Sequence, residues 1–450
     1  MTRLNLQLPH PLILLLGCVF AAALLSHVLP AGRYERRDDP VTGRSVVVPG
    51  TYHNVPPRPL SAFQTLVAVP KGLVDAAPIV VLVFLVGGAF AVVEQTGALA
   101  DAVGWLARRL ARREALLIPI TTLAFALGGI TENMQEEIIA FVPLLLLLTR
   151  RLGFDPLTAA AISLGGAAVG SSFSPINPFQ VGIAQKLAQL PLLSGWAFRT
   201  VFLAIALGLW IWGTLHYASR NRIAPAVAPP HEPGATTGGR SAVVLALVLG
   251  AFTLLVVGLL RWGWGFDELS ALFFAMGLAA GLVAGLGWSE TAEAFVTGFR
   301  SMAGAAMLVG FARSVYVALD QGQILDTIVH GVFTPLAHLP LVACAIGMTL
   351  AQSLIHVPVP SASGQAVLTI PILVPISDLL GLSRQVTVLA YQYGAGLCEL
   401  ITPTNGAMMA ILAAAGVPFD KWIRFALPLT GALLGLGLVA VFAGIVLGLK

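Results

Sequence analysis

Two short stretches stand out against their apolar surroundings: Phe-Ser-Pro-Ile-Asn-Pro-Phe at 173–179 and Leu-Ile-Thr-Pro-Thr-Asn-Gly at 400–406. Pro175 and Pro403 each remove a backbone donor and stop an α-helix from running through. A helix broken in this way frees carbonyls at the end of one half and amides at the start of the other. Carbonyls together with hydroxyls and carboxamide oxygens are hard ligands for a small monovalent cation. On that chemistry Ser171, Ser172, Ser174, Asn177, Thr402 and Asn405 are the candidate cation ligands, with Na⁺ as the candidate ion. The amide ends carry partial positive charge and suit a carboxylate.

Two further polar elements, Thr131–Glu137 and Pro360–Gln365, also interrupt apolar sequence. With the second break they supply the candidate ligands for a small organic molecule: Thr131, Glu132, Asn133, Glu136, Ser361, Ser363, Gly364, Gln365, Glu399, Thr404 and Asn405. Glu399 is the sharpest of these. A carboxylate inside a spanning helix costs roughly 2.5–3.5 kcal/mol on insertion scales and needs a proton, a cation or a basic partner. Arg313 and His356 are the candidate structural partners. Arg313 could instead pair with Asp320, seven residues on and on the same helix face. His356 and Tyr391 are weaker candidates for proton relay. Each polar group also has a structural reading. Asn133 and Glu136 fit a helix N-cap pattern, Glu137 is expected on the back of its helix, and the serines could bond back to their own helix.

These elements must be held by a membrane protein. The chain has 450 residues, 57% hydrophobic and only 10% charged, with a mean hydropathy of +0.88. Soluble proteins carry about 25% charged residues. Apolar runs of membrane length occupy 11–29, 77–99, 197–217, 241–260, 268–288 and 423–448. The Leu-Leu-Gly-Cys at 15–18 resembles a lipoprotein cleavage box, but the apolar run continues past it, so a retained first helix is expected. Three scattered cysteines make neither a disulfide framework nor a metal cluster. The net charge of +4 is not organised for nucleic acid. The basic clusters Arg108, Arg109, Arg112 and Arg113, then Arg150–Arg151, then Arg220, Arg222 and Arg240 report topology and are expected on the cytoplasmic side. That places Arg33, Arg36, Arg37 and Arg44 outside, against the rule. There is no G-x-S-x-G elbow, no H-E-x-x-H and no phosphate-binding loop, so the chain does not read as an enzyme or an ATP-driven pump. A channel is the remote alternative.

The stretch 218–240 is rich in Pro, Gly and Thr and reads as a cytoplasmic linker between two halves, 1–217 and 241–450. The halves repeat. A shift of 228 residues lays Pro143 on Pro371, Gly153 on Gly381, and Ser174–Asn177 on Thr402–Asn405. A shift near 226 lays 71–77 on 297–303. Short apolar segments on either side of the polar apices predict re-entrant hairpins at 115–149 and 337–380, each followed by a broken helix, 157–190 and 384–416. Such backbone survives at membrane depth only inside protein or beside a water-filled cavity. With both hairpins re-entrant, the number of crossings between the halves inverts the second repeat, a construction common in secondary carriers. The expected fold is therefore an all-α polytopic membrane protein of inverted repeats, each hairpin apex packed against its broken helix.

At 153–184, at 360–396 and on through Ile401–Pro418, the sequence resembles the DcuC/YfcC branch of the ion transporter superfamily, the C4-dicarboxylate anaerobic carriers. It departs from the YfcC-like pattern at Ala362 and at Ala395, where that pattern has Gly and Asp. The resemblance implies inverted repeats, homodimers, and secondary transport driven by Na⁺, by H⁺ or by exchange. It implies no cofactor beyond a coupling ion. Family substrates are dicarboxylates, short-chain acids or amino acids. The expectation is an inner-membrane carrier of a small carboxylate-bearing metabolite, either an amino acid or an organic acid such as a C4-dicarboxylate.

Overall fold

The computed structural model describes residues 10–40, 42–98, 113–225 and 239–449. Each of the six apolar runs lies on a helix of spanning length: Pro11–Val28, Ala77–Gln95, Trp196–Arg220, Gly239–Val257, Phe266–Ala284 and Phe419–Val446. Three more helices among the described residues are long and apolar enough to cross a membrane: Glu114–Glu132, Gly287–Gln321 and Ala362–Leu380. The proposed linker is shorter than expected, because its ends are helical up to Arg220 and from Gly239. Arg108, Arg109 and Arg112 lie outside the described residues.

The frame is an antiparallel pair. Ala62–Asp75 and Ala77–Gln95 form one arm, and the 35-residue helix Gly287–Gln321 forms the other. None of the six apolar runs covers this helix, since Glu290, Glu293 and Arg300 disguise its first turns. Small residues bring the arms together. A side chain on Gly72 would strike Gly310 and Ser314, one on Gly87 would strike Gly298 and Met302, and one on Gly88 would strike Phe295 and Phe299. As one arm is read upward the other is read downward. The 226-residue shift carries Gly72 onto Gly298, and both sit in this seam. The two arms are thus exchanged by a pseudo-two-fold axis, which crosses the seam near Ile79 and Ala305.

The hairpins follow the same symmetry. Leu117–Glu132 and Ile138–Arg151 make hairpin 1, and Leu341–Ile355 and Ala362–Leu380 make hairpin 2. The first broken helix runs as Pro156–Ala160, a wide π-type turn Ala161–Gly165, and Gly166–Ser172. It resumes at Pro178–Gly182 and Ile183–Leu187. The second runs Arg384–Cys398, breaks, and resumes as Gly406–Ala414. Each hairpin tip lies at the depth of a helix break. Ser174 Oγ donates to Ile130 O at 2.8 Å, and Thr404 Oγ1 donates to Val357 O at 2.6 Å. The tips therefore stop within the helical layer and turn back, as the sequence led us to expect.

One region was not foreseen. Between the first two helices, strands β1 (Gly32–Arg33) and β4 (His53–Asn54) pair antiparallel, as do β2 (Arg36–Asp39) and β3 (Arg44–Val47). This strap is fastened to the helix Leu325–Phe333. Arg36 bonds both carboxylate oxygens of Asp326, at 3.0 and 2.7 Å, and Tyr52 stacks on His330 with ring centroids 4.0 Å apart. Burial, with the Asp326 charge beside it, pushes the Tyr34 hydroxyl above the ordinary tyrosine range. Arg36 thus has a local partner, and this is one physical reason an arginine stands where the topology rule did not expect it.

Candidate functional site

Both breaks are built by their asparagines. Asn177 Oδ1 accepts the N–H groups of Phe179 and Gln180, each at 2.9 Å. Asn405 Oδ1 accepts that of Met408 at 3.0 Å. These are N-caps on the resuming half-helices. Asn177 Nδ2 donates to Gly129 O at 2.7 Å and so ties the first break to hairpin 1. Ser174 Oγ accepts the N–H groups of Ile176 and Asn177. Ser171 and Ser172 both donate to Ala168 O, at 3.1 and 2.6 Å, closing on their own helix. Thr402 is buried outside the cavity described next.

A cavity of about 510 Å³ opens where the pseudo-two-fold axis meets the two hairpin tips. The frame contributes Asp75, Ile79, Val309 and Arg313. Hairpin 1 contributes Glu132, Asn133, Gln135, Glu136 and Glu137. Hairpin 2 contributes Ser361 and Ser363, and the second break contributes Glu399, Thr404 and Asn405. Phe179 and Phe266 supply aromatic walls. Five carboxylates thus share one chamber with one guanidinium, that of Arg313. This guanidinium bonds Asp75, which leaves four carboxylates in the lining without a basic partner among the described residues.

Several expectations need correction. Arg313 pairs with Asp75 on the facing arm, where the antiparallel crossing brings it, and not with Asp320 or Glu399. Glu399 is 2% exposed and accepts a hydrogen bond from Gln135 Nε2. Gln135 Oε1 in turn accepts from Asn405 Nδ2 at 3.3 Å. Gln135 therefore joins the first hairpin tip to the second break. The sequence reading placed it inside the polar apex but did not single it out. Asn133 does not cap the second arm of its hairpin. It ends the first arm in the left-handed conformation (φ 54°), and its Oδ1 accepts from Gln180 Nε2 at 2.7 Å. Glu137 lines the cavity rather than the back of its helix.

The remaining candidates fall into two groups. Glu132, Asn133, Glu136, Ser361, Ser363, Glu399, Thr404 and Asn405 converge on the cavity. Thr131, Gly364 and Gln365 do not line it. Thr131 donates to Leu127 O at 2.9 Å and faces an apolar groove. Gly364 donates its N–H to Ser361 Oγ at 3.3 Å, where Ser361 caps the second arm of hairpin 2. Gln365 is fully buried, donating to Gln352 O at 2.6 Å and standing 3.1 Å from His356 Nδ1. His356 is thus part of a structural network behind the hairpin. Tyr391 props the same hairpin through a 2.7 Å bond to Ala362 O.

Broken helices, re-entrant tips and a polar chamber on the axis between two repeats describe a polytopic membrane transporter. The profile of the C4-dicarboxylate anaerobic carriers (DcuC) matches residues 8–447, and the chain belongs to that family. It is 32% identical over 396 residues to the Escherichia coli protein named "Putative basic amino acid antiporter YfcC", covering 83% of this chain and 78% of that one. It is 27% identical over 413 residues to an uncharacterized protein of Haemophilus influenzae, covering 88% and 81%. Among solved structures it is similar to the Alcanivorax borkumensis YdaH transporter, at 21% identity and a TM-score of 0.44 over 98% of this chain and 99% of that one. It is also similar to Neisseria gonorrhoeae MtrF, at 19% identity and 0.41 over 97% and 95%.

Proposed function

We propose that this protein is an inner-membrane secondary transporter of a zwitterionic or cationic amino acid. It would work by alternating access, driven by exchange or by a Na⁺ or H⁺ gradient. The observation that carries this reading is the charge of the chamber: four carboxylates without a basic partner, around a single arginine already bonded to Asp75. An amino or guanidino group entering there meets Glu399, Glu132 and Glu136. Its carboxylate would turn toward the hairpin 2 tip, with the Ser361 and Ser363 hydroxyls. A C4-dicarboxylate would instead find a single guanidinium, already bonded to Asp75, for its two carboxylates. The name of the Escherichia coli relative points the same way.

The second reading, a dicarboxylate or short-chain acid carrier, draws on the helix start at Ala362 and on Arg313, the groups here that favour anions. A thermal-stability screen of the purified protein separates the two. A ligand that binds only the folded state stabilises it by about 2.7 kcal/mol at a hundredfold excess over Kd. Lysine, arginine or ornithine are expected to raise the melting midpoint, and Glu399→Gln to abolish that rise. Stabilisation by succinate or fumarate alone would overturn the amino-acid reading.

A further inference from the structure

Arg199 is 0% exposed. Its guanidinium donates to Gln392 Oε1 at 3.0 Å, to Ser194 O at 2.8 Å and to Gln385 Oε1 at 2.9 Å. All three acceptors are neutral, and no carboxylate among the described residues forms an ion pair with it. A buried charge without a counter-charge is costly unless the local field favours it. The negative pole at hand is the carbonyl end of the first broken helix. Gln392 connects the two, because its Nε2 donates to Ser174 O at 2.7 Å and reaches Ser171 O at 3.5 Å. The amide accepts from the guanidinium at its oxygen and presents a polarised N–H chiefly to the Ser174 carbonyl. Secondary carriers place a coupling cation at such half-helix ends.

We propose that Arg199 is a tethered cation that serves the first break through Gln392. The first break then takes no exchangeable cation, and any cation or proton coupling is confined to the second. This rests on the transporter reading above. The symmetry supports it by failing here. The 228-residue shift lays Gln392 on Leu164 and Arg199 on Leu427, so the second break has no equivalent pair. There Leu400 O accepts the Trp422 indole N–H at 2.8 Å, and Glu399 O accepts from Asn405 Nδ2 at 3.4 Å. Those donors are neutral, and the ionisable group beside them is the Glu399 carboxylate. One break carries a fixed positive charge and the other an acid that can take up a mobile one. Arg199 acts through Gln392 and is a positioning residue.

The test is a melting experiment on the full-length protein at constant ionic strength, in Na⁺ or in choline, with millimolar guanidinium as a third condition. With Glu399→Gln, which neutralises the second break, the midpoint is expected to be the same in Na⁺ and in choline. With Arg199→Ala, Na⁺ or guanidinium is expected to raise the midpoint by several degrees, while Arg199→Lys shows no such dependence. A Na⁺-dependent rise in Glu399→Gln, or an Arg199→Ala protein whose midpoint and cation response match the parent, would overturn the proposal. If Arg199→Ala cannot be purified, the Glu399→Gln comparison decides alone. None of these readings depends on the molecule carried, so failure of the amino-acid assignment would show only in the ligand screen.

Discussion

The two break asparagines look equivalent in sequence but do different work. Asn177, itself outside the chamber lining, satisfies two amides and one carbonyl. Asn405 caps one amide and turns its Nδ2 toward Gln135 and Glu399 O at the chamber wall. Losing a cap costs about 1 kcal/mol, and Asn177→Ala also removes the tie to Gly129 O, a bond worth about 0.5–1.5 kcal/mol, although that carbonyl keeps the Asn133 N–H. Asn177→Ala is therefore expected to lower the melting midpoint more than Asn405→Ala. Asn405→Ala should weaken ligand binding beyond its effect on stability, and a binding isotherm on both variants checks this. The asparagines were legible because Pro-x-Asn marks a break by backbone chemistry alone. Arg199 and Gln135 were not. Arg199 reads as one arginine near a helix start, and its partner Gln392 is 193 residues away. Gln135 looks like any polar apex residue until the chain brings it to Glu399, 264 positions on.

At the scale of elements, the hairpins and broken helices could be read from sequence because each is announced locally, by short apolar arms around a polar turn. The frame could not be read as well. Its long second arm carries Glu290, Glu293 and Arg300 in its first turns, and only the facing arm explains why Gly298 and Gly310 are glycines. At Gly298 an added methyl would meet the Gly87 carbonyl and Gly88 Cα, both backbone, with no side chain free to yield. Gly304, on the same helix, has open space where its Cβ would be. Gly298→Ala is expected to lower the melting midpoint and the yield of folded protein. Gly304→Ala is expected to be neutral or to stabilise by about 0.5–1 kcal/mol, since it removes only glycine's chain entropy. Parallel melting curves of the two variants distinguish seam packing from a general intolerance of the helix.

At the scale of the whole molecule, the alternating-access reading proposed above would make two arrangements of the hairpins nearly interchangeable, and the strap, described at 30–40 and 42–58, belongs to one repeat only. It grips the helix Leu325–Phe333 through Arg36, Tyr34 and Tyr52, and that helix precedes hairpin 2. A perfectly symmetric carrier would divide its time evenly between the two faces of the membrane. A clasp over one hairpin ends that parity, because every 1.4 kcal/mol it contributes to one arrangement changes the ratio of the two populations tenfold. Arg36→Ala leaves the buried Asp326 with the Tyr34 amide but without its cation. The variant is expected to redistribute the populations, read as a changed rate of thiol labelling at a cysteine placed at Ser363. On that reading the protein at rest would be a weighted balance rather than an even one, tipped by a few strand residues that lie between the first two helices.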